Sequence, residues 1–225
     1  MAGQFEQMTM SDEAVVAVYH AEPEGGRRGG LVVIQEIFGV NAHIRSVADE
    51  YAAEGYEVLA PALFDREAPG FEVGYDGEGI AAGVKLARQE HPIALSVADV
   101  RTCVEALAAK GPVFVVGYCY GGSIAWRAAQ NIAEVAAASS YYGSMVPGLL
   151  DDAPQCPTIC HFGRNDHGIP MDGVEKVIAA AFPNVEVFVY EAGHGFNCGE
   201  RPDYDAASAG LAKERTLALF RANGG

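Results

Sequence analysis

Gly117-Tyr118-Cys119-Tyr120-Gly121 sets a cysteine between glycines two residues away on either side. This is the G-x-nucleophile-x-G pattern of a sharp strand-to-helix turn, with sulfur in place of a hydroxyl. Such a turn holds its central residue in a strained backbone conformation, so its neighbours must be small. At the start of the following helix the dipole favours thiolate over thiol. The backbone N–H of Tyr120 would point at a developing oxyanion. Other apolar runs also end on reactive groups. Leu31–Gln35 (LVVIQ) is followed by Glu36 and Ile37, Thr158–Gly163 by Arg164-Asn165-Asp166, and Val185–Tyr190 by Glu191-Ala192-Gly193-His194. Nucleophile, carboxylate and imidazole thus follow in that order, each just past a strand. In that arrangement His194 takes or returns a proton and Asp166 fixes its tautomer. Ile37 is placed to give the second oxyanion amide.

Rival assignments exist at several positions. Asp172 and Glu191 compete with Asp166, and the place just past a strand favours Asp166. Glu36 reads either as a pocket carboxylate or as a surface strand end. His194 lies between glycines, which suits a mobile, exposed base. His161 sits on an apolar strand and reads as a core histidine, and His167 as local structure around Asp166. Cys156, Cys160 and His161 lack a second ligand pair at zinc spacing, so packing is the expected role of both thiols. Cys103 reads as packing. Cys198 either lines the pocket or fills space.

These groups need a scaffold of strand ends. Short apolar runs alternate with helical stretches at Ala42–Glu54, Ile93–Lys110, Gly121–Asn131, Pro170–Phe182 and Asp203–Ala222. On Ile93–Lys110, residues Val97, Val100, Val104 and Leu107 share one stripe. Val113–Val116 is wholly apolar, as in a strand covered on both faces. The alternation predicts an α/β fold with a mostly parallel central sheet and helices on both faces. Gln4–Thr9 and Val15–His20 are expected to pair antiparallel at one edge. Phe64–His91, richer in glycine and charge, is expected to be loop with one short helix. No linker divides the chain, so one domain over 1–225 is expected.

Composition narrows the function. The 225 residues are half apolar and carry a formal net charge of −15. That field repels phosphate backbones and anionic bilayers, so neither nucleic acid nor membrane is an expected partner. No apolar run approaches the ~20 residues of a membrane helix. The start, MAGQFEQMTM, lacks the basic-then-apolar pattern of a secretory signal. Five cysteines spread over the chain do not form a disulfide framework, and a cytoplasmic location is expected.

The chain resembles the dienelactone hydrolase family, a cysteine-nucleophile branch of the α/β-hydrolase fold. The likeness is carried by Gln35-Glu36-Ile37-Phe38-Gly39-Val40-Asn41, Gly117-Tyr118-Cys119-Tyr120-Gly121-Gly122, Asp166-His167, Ala192-Gly193-His194-Gly195-Phe196 and Glu214-Arg215-Thr216-Leu217. It runs from about Leu31 to about Leu219. The resemblance implies Cys119 as nucleophile, His194 as base, Asp166 as its orienting carboxylate, and Ile37 and Tyr120 as oxyanion donors. It also implies a hydrogen bond from the resting thiol to Glu36, which substrate displaces. No cofactor or metal is implied. Family members clamp a substrate carboxylate with two arginines. At those positions this chain has the Gly77-Glu78-Gly79-Ile80 segment and Cys198, with Arg88 and Arg201 elsewhere. The reaction type therefore transfers better than the substrate.

Sulfur also constrains the substrate. A thiolate adding to an ordinary alkyl ester is readily expelled again. Forward collapse needs another stable leaving group, such as an enolate or phenolate. The expected substrate is a small-molecule enol lactone or activated ester, hydrolysed through a thioester. The competing reading is a thiol sensor or ligand-binding protein on a hydrolase scaffold, which would not turn over.

Overall fold

The computed structural model describes residues 2–23 and 25–225. Met1 and Glu24, which the expected 1–225 domain includes, lie outside the described residues. Among the described residues, eight strands form one sheet in the order β1-β2-β4-β3-β5-β6-β7-β8. They are β1 (Gln4–Thr9), β2 (Val15–Ala21), β3 (Gly29–Ile34), β4 (Tyr56–Pro61), β5 (Val113–Tyr118), β6 (Val135–Tyr141), β7 (Thr158–Gly163) and β8 (Val185–Tyr190). From β4 to β8 all neighbours are parallel, and β2 runs against both β1 and β4. The antiparallel edge pair is where the sequence puts it.

Every residue of β3, β4, β5 and β7 is buried, as expected for apolar strands covered on both faces. α1 (Ala42–Ala53) and α6 (Ala206–Ala222) pack on one face, joined by Lys213–Glu50 and Arg221–Glu54 ion pairs. α3 (Ile93–Ala108) and α4 (Tyr120–Asn131) pack on the other. α1 begins where the Asn41 side chain accepts the Ile44 N–H. The 64–91 segment holds α2 (Gly77–Lys85), which runs on into a π-helical turn at Leu86–Glu90. α5 (Met171–Ala179) is shorter than the expected Pro170–Phe182, because Ala181 turns left-handed at φ 48°. α6 starts later than expected, with Asp205 capping Ser208 N–H at 2.7 Å.

Two buried polar groups tie this core together. Asp99, on α3, is fully buried and holds Arg66 bidentately at 2.6 and 2.7 Å. Burial pushes the Asp99 carboxyl up against the pull of Arg66. Arg66→Ala leaves a buried carboxylate without its cation, an expected loss of about 3–5 kcal/mol in urea unfolding. A loss of a few tenths would refute this account. The Thr216 hydroxyl, on α6, is the second hub. It lies 2.9 Å from Ser139 Oγ, 2.9 Å from Tyr141 OH and 3.3 Å from His161 Nε2. One donation and two acceptances saturate it.

His161 is thus a core histidine, as expected, with Nδ1 2.8 Å from Tyr190 OH. Burial lowers its pKa from 6.5 to about 3, with a smaller push from Arg215. The unfolded chain therefore takes a proton at this residue that the native state refuses, and stability falls as pH drops from 6.5 towards 3. Melting temperature in His161→Asn is expected to depend less steeply on pH between about 7 and 5 than in the parent. Equal slopes would assign the acid sensitivity to other groups.

Candidate active site

The reactive strand ends meet above the carboxyl edge of β3, β5, β7 and β8, where open α/β sheets build their sites. Cys119 caps α4 with φ 54° and ψ −112°, a conformation that L-residues rarely adopt. Its N–H is fixed to the Tyr141 carbonyl at 3.0 Å. The flanking glycines are required by contact. A methyl on Gly117 would run into the Gly121 carbonyl, and one on Gly121 into the Ile34 carbonyl. Strand β5 and helix α4 can close this tightly only without those carbons.

His194 stands between sulfur and carboxylate. Its Nε2 is 3.2 Å from Cys119 Sγ and its Nδ1 is 2.7 Å from Asp166 Oδ2. Asp166 is 3 % exposed, and its other oxygen accepts Gly168 N–H at 2.7 Å and Ile169 N–H at 3.1 Å. That carboxylate cannot swing away without breaking two backbone bonds. Burial works against the charged imidazole, but the Cys119 sulfur and the Asp166 hydrogen bond outweigh it, raising the His194 pKa to about 10. Such a constellation can pass a proton from sulfur to nitrogen and hold the resulting charges together. The rival carboxylates lie apart from it: Glu191 pairs with Arg164 at the surface, and Asp172 sits in the first turn of α5. His167 is exposed.

Two expectations are corrected. His194 is not an exposed base; its side chain is 19 % accessible and packs 5.1 Å from the Tyr142 ring. Nor does Glu36 hydrogen-bond the thiol among the described residues. The Cys119 sulfur faces His194, and Glu36 Oε1 lies 3.5 Å from Arg201 Nη1. A buried carboxylate is drawn to the cation beside it rather than to a neutral thiol. Glu36 is fully buried, which removes the surface reading, and burial raises its pKa against the pull of Arg201.

Arg201 itself was not legible as a site residue. Backbone bonds Cys198 N–H to Gly195 O, Arg201 N–H to Cys198 O and Tyr204 N–H to Arg201 O curl the loop back on itself. The guanidinium then lies 5.9 Å from the rings of both Phe38 and Tyr75. Gly195, at φ 79°, leaves the space it fills. Arg88 was also unplaced. It lines a cleft of about 220 Å³ with Ile37, Val84, Cys119, Tyr120 and His194, its guanidinium 3.3 Å from Ser144 Oγ. The 64–91 segment therefore forms one wall of this cleft through Val84 and Arg88. Cys198 is fully buried beside Tyr75 and Glu36, away from that cleft, and Cys103, Cys156 and Cys160 are buried in packing.

The sheet order, the sharp turn after β5 and the strand-end residues together define an α/β-hydrolase. The dienelactone hydrolase family profile matches residues 16–224, and the chain belongs to that family. A Synechocystis sp. protein provisionally assigned as a carboxymethylenebutenolidase is 36 % identical over 92 % of this chain and 91 % of its own. The carboxymethylenebutenolidase of Pseudomonas sp. strain P51 is 32 % identical over 88 % and 87 %. The crystal structure of a Klebsiella pneumoniae protein provisionally assigned as a dienelactone hydrolase superposes with a TM-score of 0.85 at 30 % identity, covering 98 % of this chain and 99 % of that one. This chain is accordingly a hydrolytic enzyme of that family. No helix among the described residues is long and apolar enough to cross a membrane.

Proposed function

We propose that the enzyme hydrolyses small enol lactones and activated carboxylic esters, with Cys119 as nucleophile, His194 as proton relay and Asp166 as the group orienting His194. The observation that carries this reading is the Cys119 Sγ–His194 Nε2–Asp166 Oδ2 relay, at 3.2 and 2.7 Å, on a strained turn at a helix start. Sulfur attacks the carbonyl carbon after its proton has passed to His194. The Ile37 and Tyr120 amides receive the oxyanion. The C–O bond breaks, the enolate or phenolate takes the proton from His194, and the acyl group stays on sulfur. Water, deprotonated by His194, then adds to the thioester and expels the thiol. One water is consumed per bond cut, and no cofactor or metal enters. Glu36 supports the sulfur: a carboxylate paired with Arg201 at rest, with its pKa raised by burial, it takes the thiol proton and hands it to His194 when a substrate's charge competes for Arg201.

The substrate chemistry follows from sulfur and from Arg88. Sulfur selects good leaving groups, and Arg88 on the cleft wall offers a partner to an anionic substituent. The test compares dienelactone with neutral lactones, p-nitrophenyl esters and plain alkyl esters. Enol and aryl substrates are expected to turn over many times per chain, and alkyl esters poorly. Equal rates on alkyl esters would overturn the leaving-group argument, and a single covalent event per chain would leave a thiol trap rather than an enzyme. Arg88→Gln is expected to raise KM for anionic dienelactone by about tenfold and to leave neutral esters unchanged. Five free cysteines support a reducing compartment, and we place the enzyme in the cytoplasm.

A further inference from the structure

Glu36, His43 and Cys198 converge where the end of β3, the helix α1 and the curled loop after β8 meet. A nitrogen of His43, the sulfur of Cys198 and a carboxylate oxygen of Glu36 all lie within 4.8 Å of one another. Glu36 and Cys198 are both 0 % exposed, and His43 is partly buried. Two of the buried atoms in this cluster, Glu36 Oε2 and His43 Nε2, have no hydrogen-bond partner. Buried polar atoms are seldom left so, since each orphan costs free energy. A cation between them would satisfy both. His43 also walls a surface cleft of about 370 Å³ that shares no lining residue with the cleft around Cys119. Glu50 and Asn197 line the same cleft, so an ion would reach His43 past polar groups.

We propose that His43, Cys198 and Glu36 bind a single borderline-soft divalent cation, zinc foremost, at a site that shares Glu36 with the Cys119 machinery and is reached from the other side through His43. The donor set selects the ion. Sulfur, imidazole and carboxylate suit zinc, whereas calcium and magnesium require oxygen ligands. On binding, Cys198 gives its thiol proton to solvent and a sulfur–metal bond forms. Thiolate and carboxylate then balance the two positive charges, and Arg201 keeps its place at the other Glu36 oxygen. Water completes the coordination. The other comparable cluster, His20, Glu22 and Glu57, lacks sulfur. There Glu57 is already held by Arg27 at 2.6 Å and Lys110 at 2.7 Å, and Glu22 is exposed. The zinc site does not depend on the hydrolytic reading.

The test uses full-length Cys119→Ala protein, in which zinc cannot bridge Cys119 and His194. Calorimetric titration with zinc is expected to show one ion per chain. Adding Cys198→Ser or His43→Gln is expected to weaken binding by about tenfold or more. Cobalt(II) titrated into the Cys119→Ala protein is expected to give a thiolate-to-metal charge-transfer absorption that Cys198→Ser removes. That spectrum does not depend on the His43 variant folding. No zinc uptake, equal affinity in all three proteins, or a cobalt spectrum without a Cys198-dependent thiolate band would each overturn the site.

Discussion

Cys119→Ala is expected to lower kcat on an enol lactone by about 10⁴-fold or more, and Cys119→Ser by about a hundredfold or more. The serine prediction is the sharper of the two. A hydroxyl at position 119 would keep its place on the φ 54° turn and its approach to His194 Nε2. It would be far less ionised, because a hydroxyl is intrinsically a much weaker acid than a thiol and the imidazole beside it cannot make up the difference. Serine would thus have the geometry without the acidity. Single-turnover assays should show loss of the acyl-enzyme burst in the alanine variant, with the fold unchanged by circular dichroism. Activity within a few-fold of the parent in either variant would place the nucleophile elsewhere.

Asp166→Asn is expected to cost about 10³- to 10⁴-fold in kcat with little loss of stability. An asparagine oxygen can still accept the Gly168 and Ile169 amides, so the loop stays in place. Its amide N–H₂ then faces His194 Nδ1 and donates to it. The imidazole proton is forced onto Nε2, facing sulfur, where the ring can no longer accept the thiol proton. The Asp166 carboxylate charge that helps raise the His194 pKa is lost as well. The variant should therefore show slowed alkylation of Cys119 by iodoacetamide at neutral pH. Parent-like labelling together with parent-like kcat would reassign the orienting carboxylate.

Much of this arrangement is legible from the chain because it is local. LVVIQ, VFVV and TICHFG announce buried strands through continuous apolar residues, and each strand all but dictates where the next residue emerges. Gly117 and Gly121 mark the turn because their Cβ positions are occupied by backbone. Strand–helix alternation then brings Cys119, Asp166 and His194 to one edge. What was illegible depends on how loops curl. Arg201 reaches Glu36 only through three successive backbone bonds in the 195–204 loop, and no periodicity encodes them. Arg88 lines the cleft from the π-helical turn that continues α2, a turn the sequence does not announce. The partner of Glu36 was misread for the same reason: its neighbour is decided by where that distant guanidinium lands.

The Thr216 hydroxyl has a consequence for how short the protein can be made. Ser139, Tyr141 and His161 come from two adjacent strands directly beneath the reactive edge, and all three lean on one side chain of α6. Truncation upstream of that residue would strand three polar groups in a dry interior and strip Phe220 from the ring of Phe114 on which it stacks. Deleting α6 is therefore not a trim of a peripheral segment. It would reach the floor of the reaction chamber from behind, and fragments ending there should accumulate as insoluble material rather than as slow enzymes.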